Sequence, residues 1–324
     1  MNKIILSLAK SRARFLILLL ILELIILGIL NPSFLTVRNL VEILQFGATL
    51  FLLAIGESLV IMVIPGGIDI SIGSIVSLSC VTLGYTYRAT ANMPLAILCT
   101  VIAGAVMGCI NGLFVGFFNM PPLIATLGTQ YAFASLALYI TNGVAISGFP
   151  ESFEWLSLEQ TFGIPNQILF MVIPVVAVML FLIYRTHFGR NVYLTGDNAE
   201  AAKFAAVKTR QTIFFVFMIA GILSALGAIV NCSWLMTARA DAGSGMEMNA
   251  ITVAMLGGIS AVKGGRGHLA GVIIGTVIIT MLNSGMQIAG INSMWILAVT
   301  GLILIISIVM NSGMSRFVER MTKV

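Results

Sequence analysis

Charged residues are scarce in this chain: Asp, Glu, Lys and Arg make up 9% of its 324 residues, against about 25% in an average soluble domain. A soluble protein of this length needs far more charge to cover its surface, so a soluble enzyme is excluded. Disorder is excluded by the opposite excess, because 59% of the residues are apolar. A mean hydropathy of +1.07 leaves an all-α, polytopic integral membrane protein.

Catalytic signatures are also missing from the sequence. It has two histidines and contains no His-Glu-x-x-His, nucleophile elbow or Cys/His cluster. Lys263 lies in the Gly-rich stretch 257–267, but no Gly directly precedes it and no Ser or Thr follows, so this is not a phosphate-binding loop. The four cysteines lie in apolar stretches without the paired spacing of a metal site. We therefore expect no enzyme, no metal and no cofactor, and any ATP-driven activity must take its energy from a partner.

Ten apolar stretches are candidates for transmembrane helices, each of which needs about 20 residues. The third and eighth are short and rich in small residues, so we expect broken or bent helices there. Ten spans divide into five and five, and an odd number in each half gives inverted halves if both share a fold. The Gly-rich acidic segments before the third and eighth spans favour such a repeat. The predicted spans are 15–30, 44–64, 71–87, 94–118, 122–140, 168–184, 213–235, 249–261, 269–289 and 293–311.

Basic residues orient these spans. If the amino terminus is cytoplasmic, all Lys and Arg except Arg38, Arg88 and Arg239 fall in inner segments. The longest outer connection, 141–167, has three glutamates and no Lys or Arg. This bias follows the positive-inside rule and predicts that both termini are cytoplasmic. The net charge of +5 is thus a topology signal and does not indicate nucleic-acid binding. We expect one transmembrane domain over residues 1–324.

Polar residues within the spans are candidates for a solute pathway. Glu57 and Asp69 belong to the second and third spans, where a charged carboxylate costs about 2.5–3.5 kcal/mol and normally faces a wet cavity or a partner. Asp69 and Ser71 are equally consistent with a helix cap whose carboxylate binds backbone amides. The candidate pathway residues are Glu57, Gly67, Asp69, Ser71, Asn111, Thr126, Gln130, Glu247 and Asn249.

Glycine recurs every four residues along the fourth span and again at the start of the ninth. Small residues on one face let membrane helices approach closely, because packing and hydrogen bonds join helices in lipid. We interpret both series as helix-packing surfaces. Their residues are Gly104, Gly108, Gly112 and Gly116, and Gly271 and Gly275.

The longest inner segment runs from 185 to 212. Within it, Asp197 to Glu200 resembles a capping box, with a short helix continuing to Val207. A short helix that exposes Phe204 and Val207 is typical of a docking element for a cytoplasmic partner. The alternative is an interfacial helix that lies on lipid.

Six stretches together resemble the permease subunits of bacterial ABC importers for ribose, xylose and autoinducer-2, over about residues 30–312. They are 66–74, 124–128, 185–190, 196–202, 246–251 and 256–258. The resemblance implies an inner-membrane protein that pairs with a second permease subunit, as a homodimer or heterodimer. It also implies cytoplasmic ATP-binding subunits, an extracytoplasmic solute-binding protein and a small polar solute.

Residues 197–207 match the family's coupling region, which docks on the ATPase. The matching positions carry Arg190, Asp197, Glu200, Ala201, Ala202, Phe204 and Val207. The ribose-type proteins usually have a proline where this chain has Arg239-Ala240-Asp241-Ala242, which favours the autoinducer-2 branch. A different class remains open: an ion-coupled secondary transporter in which Glu57 or Asp69 binds a proton or sodium ion.

Overall fold

The computed structural model describes residues 12–262 and 264–322, and these residues form twelve α-helices and four two-residue strands. Lys263 and the basic residues Lys3, Lys10 and Lys323 lie outside the described residues. The helices are α1 Arg12–Leu30, α2 Val37–Val63, α3 Ile72–Thr90, α4 Met93–Gly112, α5 Pro122–Thr141, α6 Ile173–Arg185, α7 His187–Asp197, α8 Ala199–Phe204, α9 Thr209–Leu235, α10 Met246–Gly257, α11 Leu269–Ile288 and α12 Ser293–Thr322.

Shorter elements connect the helices. Short 3₁₀-helices cover Pro32–Leu35 and Glu151–Leu156. Two π-helical segments, Leu113–Phe117 and Gln167–Val172, extend α4 and lead into α6. Strand β1 (Ile146–Ser147) pairs antiparallel with β4 (Thr237–Ala238). Strand β2 (Gln160–Thr161) pairs with β3 (Ile164–Pro165).

Six helical segments in the described part of the chain are long and apolar enough to cross a membrane. They are Val37–Val63, Met93–Phe117, Pro122–Thr141, Gln167–Arg185, Thr209–Leu235 and Leu269–Ile288. At the other four predicted spans the structure has helices α1, α3, α10 and α12. α2 occupies the centre, since 89% of its apolar stretch is buried, against 28% for α4 and α5.

The second span begins earlier than predicted. Its helix starts at Val37 and not at 44, because Thr36 Oγ1 accepts a hydrogen bond from the backbone N–H of Asn39 at 3.4 Å. The first turns are too polar to register as a span, and Arg38 and Glu42 form an exposed ion pair of 3.0 Å one turn apart. Capping, and not hydropathy, thus sets this boundary.

Helix packing follows the same plan in both halves of the chain. α3 packs on α4 and α5, which scarcely touch each other, and α10 packs in the same way on α11 and α12. α2 packs on α10 and α11, while α9 packs on α3 and α4. The two halves therefore pack reciprocally, if only the helices at predicted spans are counted. The second helix of each half, α2 or α9, packs against the third and fourth helices of the other half.

Glycines provide the close contact between α4 and α9. A Cβ atom added at Gly108 would lie 2.9 Å from Met218 Cα, and one added at Gly112 would lie 2.9 Å from Phe214 Cα. Both obstacles are backbone atoms, which cannot rotate away. Gly104 and Gly116 face α9 in the same way, and Gly271 and Gly275 face the backbone of α10.

α3 is a continuous helix of 19 residues, so the short or broken helix expected at the third span is not observed, whereas α10 is short, with 12 residues. Two chain segments fold back before α3 and α10 begin. Residues 64–71 return along the end of α2 and lead into α3, and the Gly67 N–H donates to Ile64 O at 2.8 Å. Residues 239–245 run beside α3 and lead into α10, and the Gly243 N–H donates to Ser77 Oγ at 3.0 Å. A Cβ at Gly73 would lie 2.5 Å from Gly243 O. The amino-terminal ends of α3 and α10 therefore meet, and the candidate site lies around this meeting point.

Candidate pathway and docking site

Five buried polar residues form one hydrogen-bonded chain beneath the start of α3. The Asp69 N–H donates to Glu57 Oε1 at 3.1 Å, and the Ser71 hydroxyl donates to Asp69 Oδ1 at 2.6 Å. Asn111 Nδ2 donates to Ser71 Oγ at 2.7 Å, and Thr129 Oγ1 donates to Asn111 Oδ1 at 2.7 Å. This central network connects α2, the fold-back segment (residues 64–71), α4 and α5.

Thr126 attaches the fold-back segment to α5. Its hydroxyl accepts from the Ile70 N–H at 3.2 Å and lies 3.2 Å from Ile68 O. Asp69 Oδ1 also accepts from the Ser71 N–H at 2.9 Å, which is the local contact of an Asx turn. Ser71 is the N-cap residue of α3 but makes no side-chain capping bond, so the predicted helix cap is not formed. Glu57 Oε2 and Asp69 Oδ2 are buried without a hydrogen-bond partner among the described residues. Two carboxylate oxygens thus remain available inside the network.

The other predicted pathway residues lie elsewhere. Gly67 is buried against Ile64, outside the network. Gln130 and Glu247 line a cavity of about 190 Å³ between α3, α5 and the segment before α10. Asn249 lines a different cavity, of about 160 Å³, between α2, α10 and α11. The structure therefore does not gather the predicted set around a single cavity.

Thr129 belongs to the central network but was absent from the predicted set. It lies three residues after Thr126 and shares its helix face, and this spacing is the sequence feature that could have identified it.

Near the 190 Å³ cavity, Arg239 Nη2 lies 2.7 Å from Asp241 Oδ2. The hydrogen bond from Arg239 holds the pKa of the exposed Asp241 carboxyl below its ordinary value.

Removing the Ser71 hydroxyl tests the central network. We expect Ser71→Ala to destabilise the purified protein, because Asn111 Nδ2 loses its acceptor and Asp69 loses one donor. A buried polar group left unpaired costs about 1–3 kcal/mol. The measurement is the midpoint of thermal unfolding in detergent. Ser79→Ala is the matched control, since Ser79 is buried in α3 and its hydroxyl has no partner among the described residues. Equal midpoints for the two variants would contradict the network.

The segment 185–212 is mostly helical and differs in detail from its prediction. Asn198, not Asp197, caps α8, because Asn198 Oδ1 accepts from the Ala201 N–H at 3.0 Å. Asp197 is the last residue of α7 and lies 4.0 Å from Arg266. The predicted helix to Val207 ends at Phe204, since Ala206 adopts φ +60°. Residues 209–212, predicted as loop, are the first turn of α9.

The coupling residues of the prediction fall on α7, α8 and the turn that follows. Phe204 is 93% exposed, which is unusual for an aromatic side chain. Glu200 and Lys203 form an exposed ion pair of 2.8 Å beside it. Ala201 and Arg190 are exposed, Ala202 is buried and Val207 is half-buried. Phe204 is therefore more exposed than Val207, the other predicted hydrophobic contact.

α7 attaches this surface to the centre of the molecule. The Gly265 N–H donates to Met62 O at 2.8 Å, and the Gly66 N–H donates to Ala261 O at 2.7 Å. Gly196 on α7 packs against the backbone of both Met62 and Gly265. α7 is therefore in direct backbone contact with the end of α2, the helix that carries Glu57.

The sequence profile of one family matches residues 39–308 of this chain, and its description is "Branched-chain amino acid transport system / permease component". The chain therefore belongs to this family of membrane permeases. It is 35% identical over 299 residues to the autoinducer 2 import system permease protein LsrD of Photorhabdus temperata, covering 90% of this chain and 88% of the relative. LsrD of Salmonella paratyphi A is 33% identical with the same coverage, and LsrD of Photorhabdus laumondii is 34% identical over 297 residues.

No solved structure gives a significant match. The resemblance to permease subunits of ABC importers is confirmed by the family and by these relatives. The chain is the permease component of such a transporter and a multi-pass protein of the inner membrane.

Proposed function

We propose that this permease carries a small, neutral, hydroxylated solute of the autoinducer-2 type into the cell. The observation that carries the proposal is the similarity to three autoinducer 2 import permeases over 90% of the chain. The central network is consistent with it, because hydroxyls and an amide make up most of its side chains. The family description names amino acids, but we assign the solute from the more similar relatives.

The chain crosses the membrane ten times in this proposal, with both termini in the cytoplasm and the two halves inverted. Helices at all ten predicted positions support the count. The reciprocal packing of α2 on α10 and α11, and of α9 on α3 and α4, supports two related halves.

The solute passes the meeting point of α3 and α10. Gln130 and Glu247 line the pathway on one side of this point, and Asn249 lies beside it. Glu57, Gly67, Asp69, Ser71, Asn111 and Thr126 line its inner part. Apart from Gly67, each of these residues is at most 1% exposed, so the inner part of the pathway is closed in this conformation.

ATP-binding subunits dock on α7 and α8 and drive the transport cycle. The contact residues are Arg190, Asp197, Glu200, Ala201, Phe204 and Val207, whereas Ala202 lies on the buried face of α8 and is not available for contact. The backbone contacts between Gly196 and Met62 support mechanical transmission from this surface to α2. A second permease subunit and an extracytoplasmic solute-binding protein complete the assembly, and ATP hydrolysis takes place in the ATP-binding subunits alone.

Reconstitution tests the function directly. We expect proteoliposomes that hold the permease with its ATP-binding subunits and solute-binding protein to take up autoinducer-2 at least tenfold faster with ATP than with a non-hydrolysable analogue. Vesicles with the permease alone and an imposed proton or sodium gradient are the control. Uptake by those vesicles would contradict the proposal and favour an ion-coupled transporter, for which the free oxygens of Glu57 and Asp69 are the candidate ion ligands.

A further inference from the structure

A two-residue turn joins β2 to β3 in the long connection between α5 and α6. Thr161 pairs with Ile164, which leaves Phe162 and Gly163 as the turn. Their φ angles are +55° and +75°, and a hairpin turn with positive φ at both central residues favours asparagine followed by glycine. Gly163 fits this preference, but Phe162 does not, because a bulky side chain is strained in the left-handed region.

The fold does not offset this strain by packing the phenylalanine ring. Phe162 is 95% exposed, so its side chain contributes almost nothing to the core. Strained backbone positions cluster at functional sites, and aromatic side chains are enriched in the buried centre of protein interfaces. The strain and the exposure together indicate that Phe162 contacts a molecule outside this chain.

Several hydrogen bonds anchor the base of this hairpin. Asn166 Nδ2 donates to Trp155 O at 2.9 Å, and the Ser157 hydroxyl donates to Val230 O on α9 at 3.2 Å. From α2, Gln45 Nε2 donates to Ser157 O at 3.1 Å. The tip of the hairpin therefore projects from a segment that is attached to two central helices, and a contact residue held in this way loses little entropy on binding.

The connection also exposes apolar and acidic side chains. Trp155 is 42% exposed and Leu158 is 47% exposed, and Glu151 and Glu159 are exposed as well. No Lys or Arg occurs between residues 141 and 167. Carboxylates are costly in lipid, which argues against insertion of this surface into the membrane. The complementary partner is a protein with an apolar pocket bordered by basic residues.

This surface lies on the side of the pathway at which the solute arrives. In the proposed topology the connection between α5 and α6 is extracytoplasmic. Its strand β1 pairs with β4 through Ile146 and Ala238, and Ala240 and Asp241, just after β4, line the 190 Å³ cavity of the pathway. The hairpin and the entrance of the pathway thus belong to one outer surface.

We propose that Phe162 is the central contact for the extracytoplasmic solute-binding protein, and that Glu151 and Glu159 pair with basic residues at the edge of the same interface. The site rests on the proposed function, because an importer of this class receives its solute from such a protein. It assigns a contact residue on the outer side, whereas the ATP-binding subunits dock on the α8 surface inside.

Phe162→Asn tests this contact and preserves the turn, because asparagine is favoured at this position. Uptake by the assembled transporter in proteoliposomes is measured against the concentration of solute-binding protein. We expect the concentration for half-maximal uptake to rise about tenfold or more, while the midpoint of thermal unfolding does not fall. Phe118→Asn is the matched control, since Phe118 is 68% exposed just after α4 and its π-helical extension, on the inner side. An unchanged concentration for Phe162→Asn, or an equal rise for both variants, would overturn the proposal.

A fluorescent label beside the turn tests the contact without transport. Gln160→Cys, at an exposed position two residues before Phe162, is labelled with bimane in a chain whose four cysteines are replaced by alanine. The labelled permease, assembled with its ATP-binding subunits, is placed in lipid nanodiscs. We expect the emission to shift to shorter wavelength when the solute-binding protein is added, and the shift to weaken as the salt concentration rises. The same amount of binding protein should give no shift when Phe162→Asn is also present.

Two other results are informative in this experiment. A short-wavelength emission before the binding protein is added would place the turn in lipid or against a second permease, and would overturn the proposal. If the wild-type transporter takes up no autoinducer-2 but the label still responds in a manner that depends on Phe162, the assignment of the solute fails while the docking site stands.

Discussion

Phe204→Asp is expected to abolish solute uptake and capture of the ATP-binding subunits, while the chain still inserts in the membrane. Phe204 is 93% exposed at the end of α8, so the folded subunit has no packing to lose. Aromatic residues are frequent energetic centres of protein interfaces, where their removal costs about 2–4 kcal/mol. A carboxylate in an apolar interface adds a desolvation penalty. We expect capture to weaken at least a hundredfold, as measured by co-purification through a tag on the permease.

Phe162→Asp is the matched control for this experiment. Phe162 is 95% exposed in the turn between β2 and β3, so both substitutions replace an exposed phenylalanine with an acidic residue. Phe162→Asp should capture the ATP-binding subunits as the wild type does. If Phe204→Asp retains both capture and uptake, the α8 surface is not the docking site, and an interfacial helix lying on lipid becomes the better interpretation.

Gly108→Leu is expected to prevent α4 from packing against α9. A Cβ at this position meets the backbone of Phe217 and Met218 on α9, so the helices can accommodate it only by moving apart. Overpacking costs about 1–3 kcal/mol even where side chains can adjust, and here no side chain is available to adjust. We expect the yield of monodisperse protein in detergent to fall at least fivefold, as measured by size-exclusion chromatography.

Gly128→Leu is the control, because a Cβ added there has no atom of the described residues within 4 Å apart from its own stretch of helix. Both glycines lie inside helices, and Gly128 is exposed on α5. We expect wild-type yield from Gly128→Leu. A comparable loss from both variants would show that leucine at glycine positions is poorly tolerated in general, and would contradict the specific role of the contact between α4 and α9.

Hydropathy predicted where helices occur, because each membrane-crossing stretch must satisfy its own backbone and expose apolar side chains to lipid. Every predicted span coincides with a helix. Boundaries set by capping were less predictable: α2 begins at Val37 through its Thr36 cap, and α8 is capped by Asn198 and not by Asp197. Asn and Asp both serve as caps, so composition does not distinguish two neighbours.

The candidate pathway was only partly predictable for a different reason. Asp69 and Ser71 are two residues apart, so their contact is local and visible in the sequence. Asn111 and Thr129 join the same network across two other helices, and spacing along the chain does not show which helix faces which.

The backbone contact between Gly73 and Gly243 has a consequence for biosynthesis. These glycines are 170 positions apart in the chain, yet the amino-terminal ends of α3 and α10 rest directly on each other. While the ribosome is still making the second half, the amino-terminal end of α3 lacks only the contact that residues 239–247 supply. Packing at this end of α3 is therefore completed only after residue 243 has been synthesised.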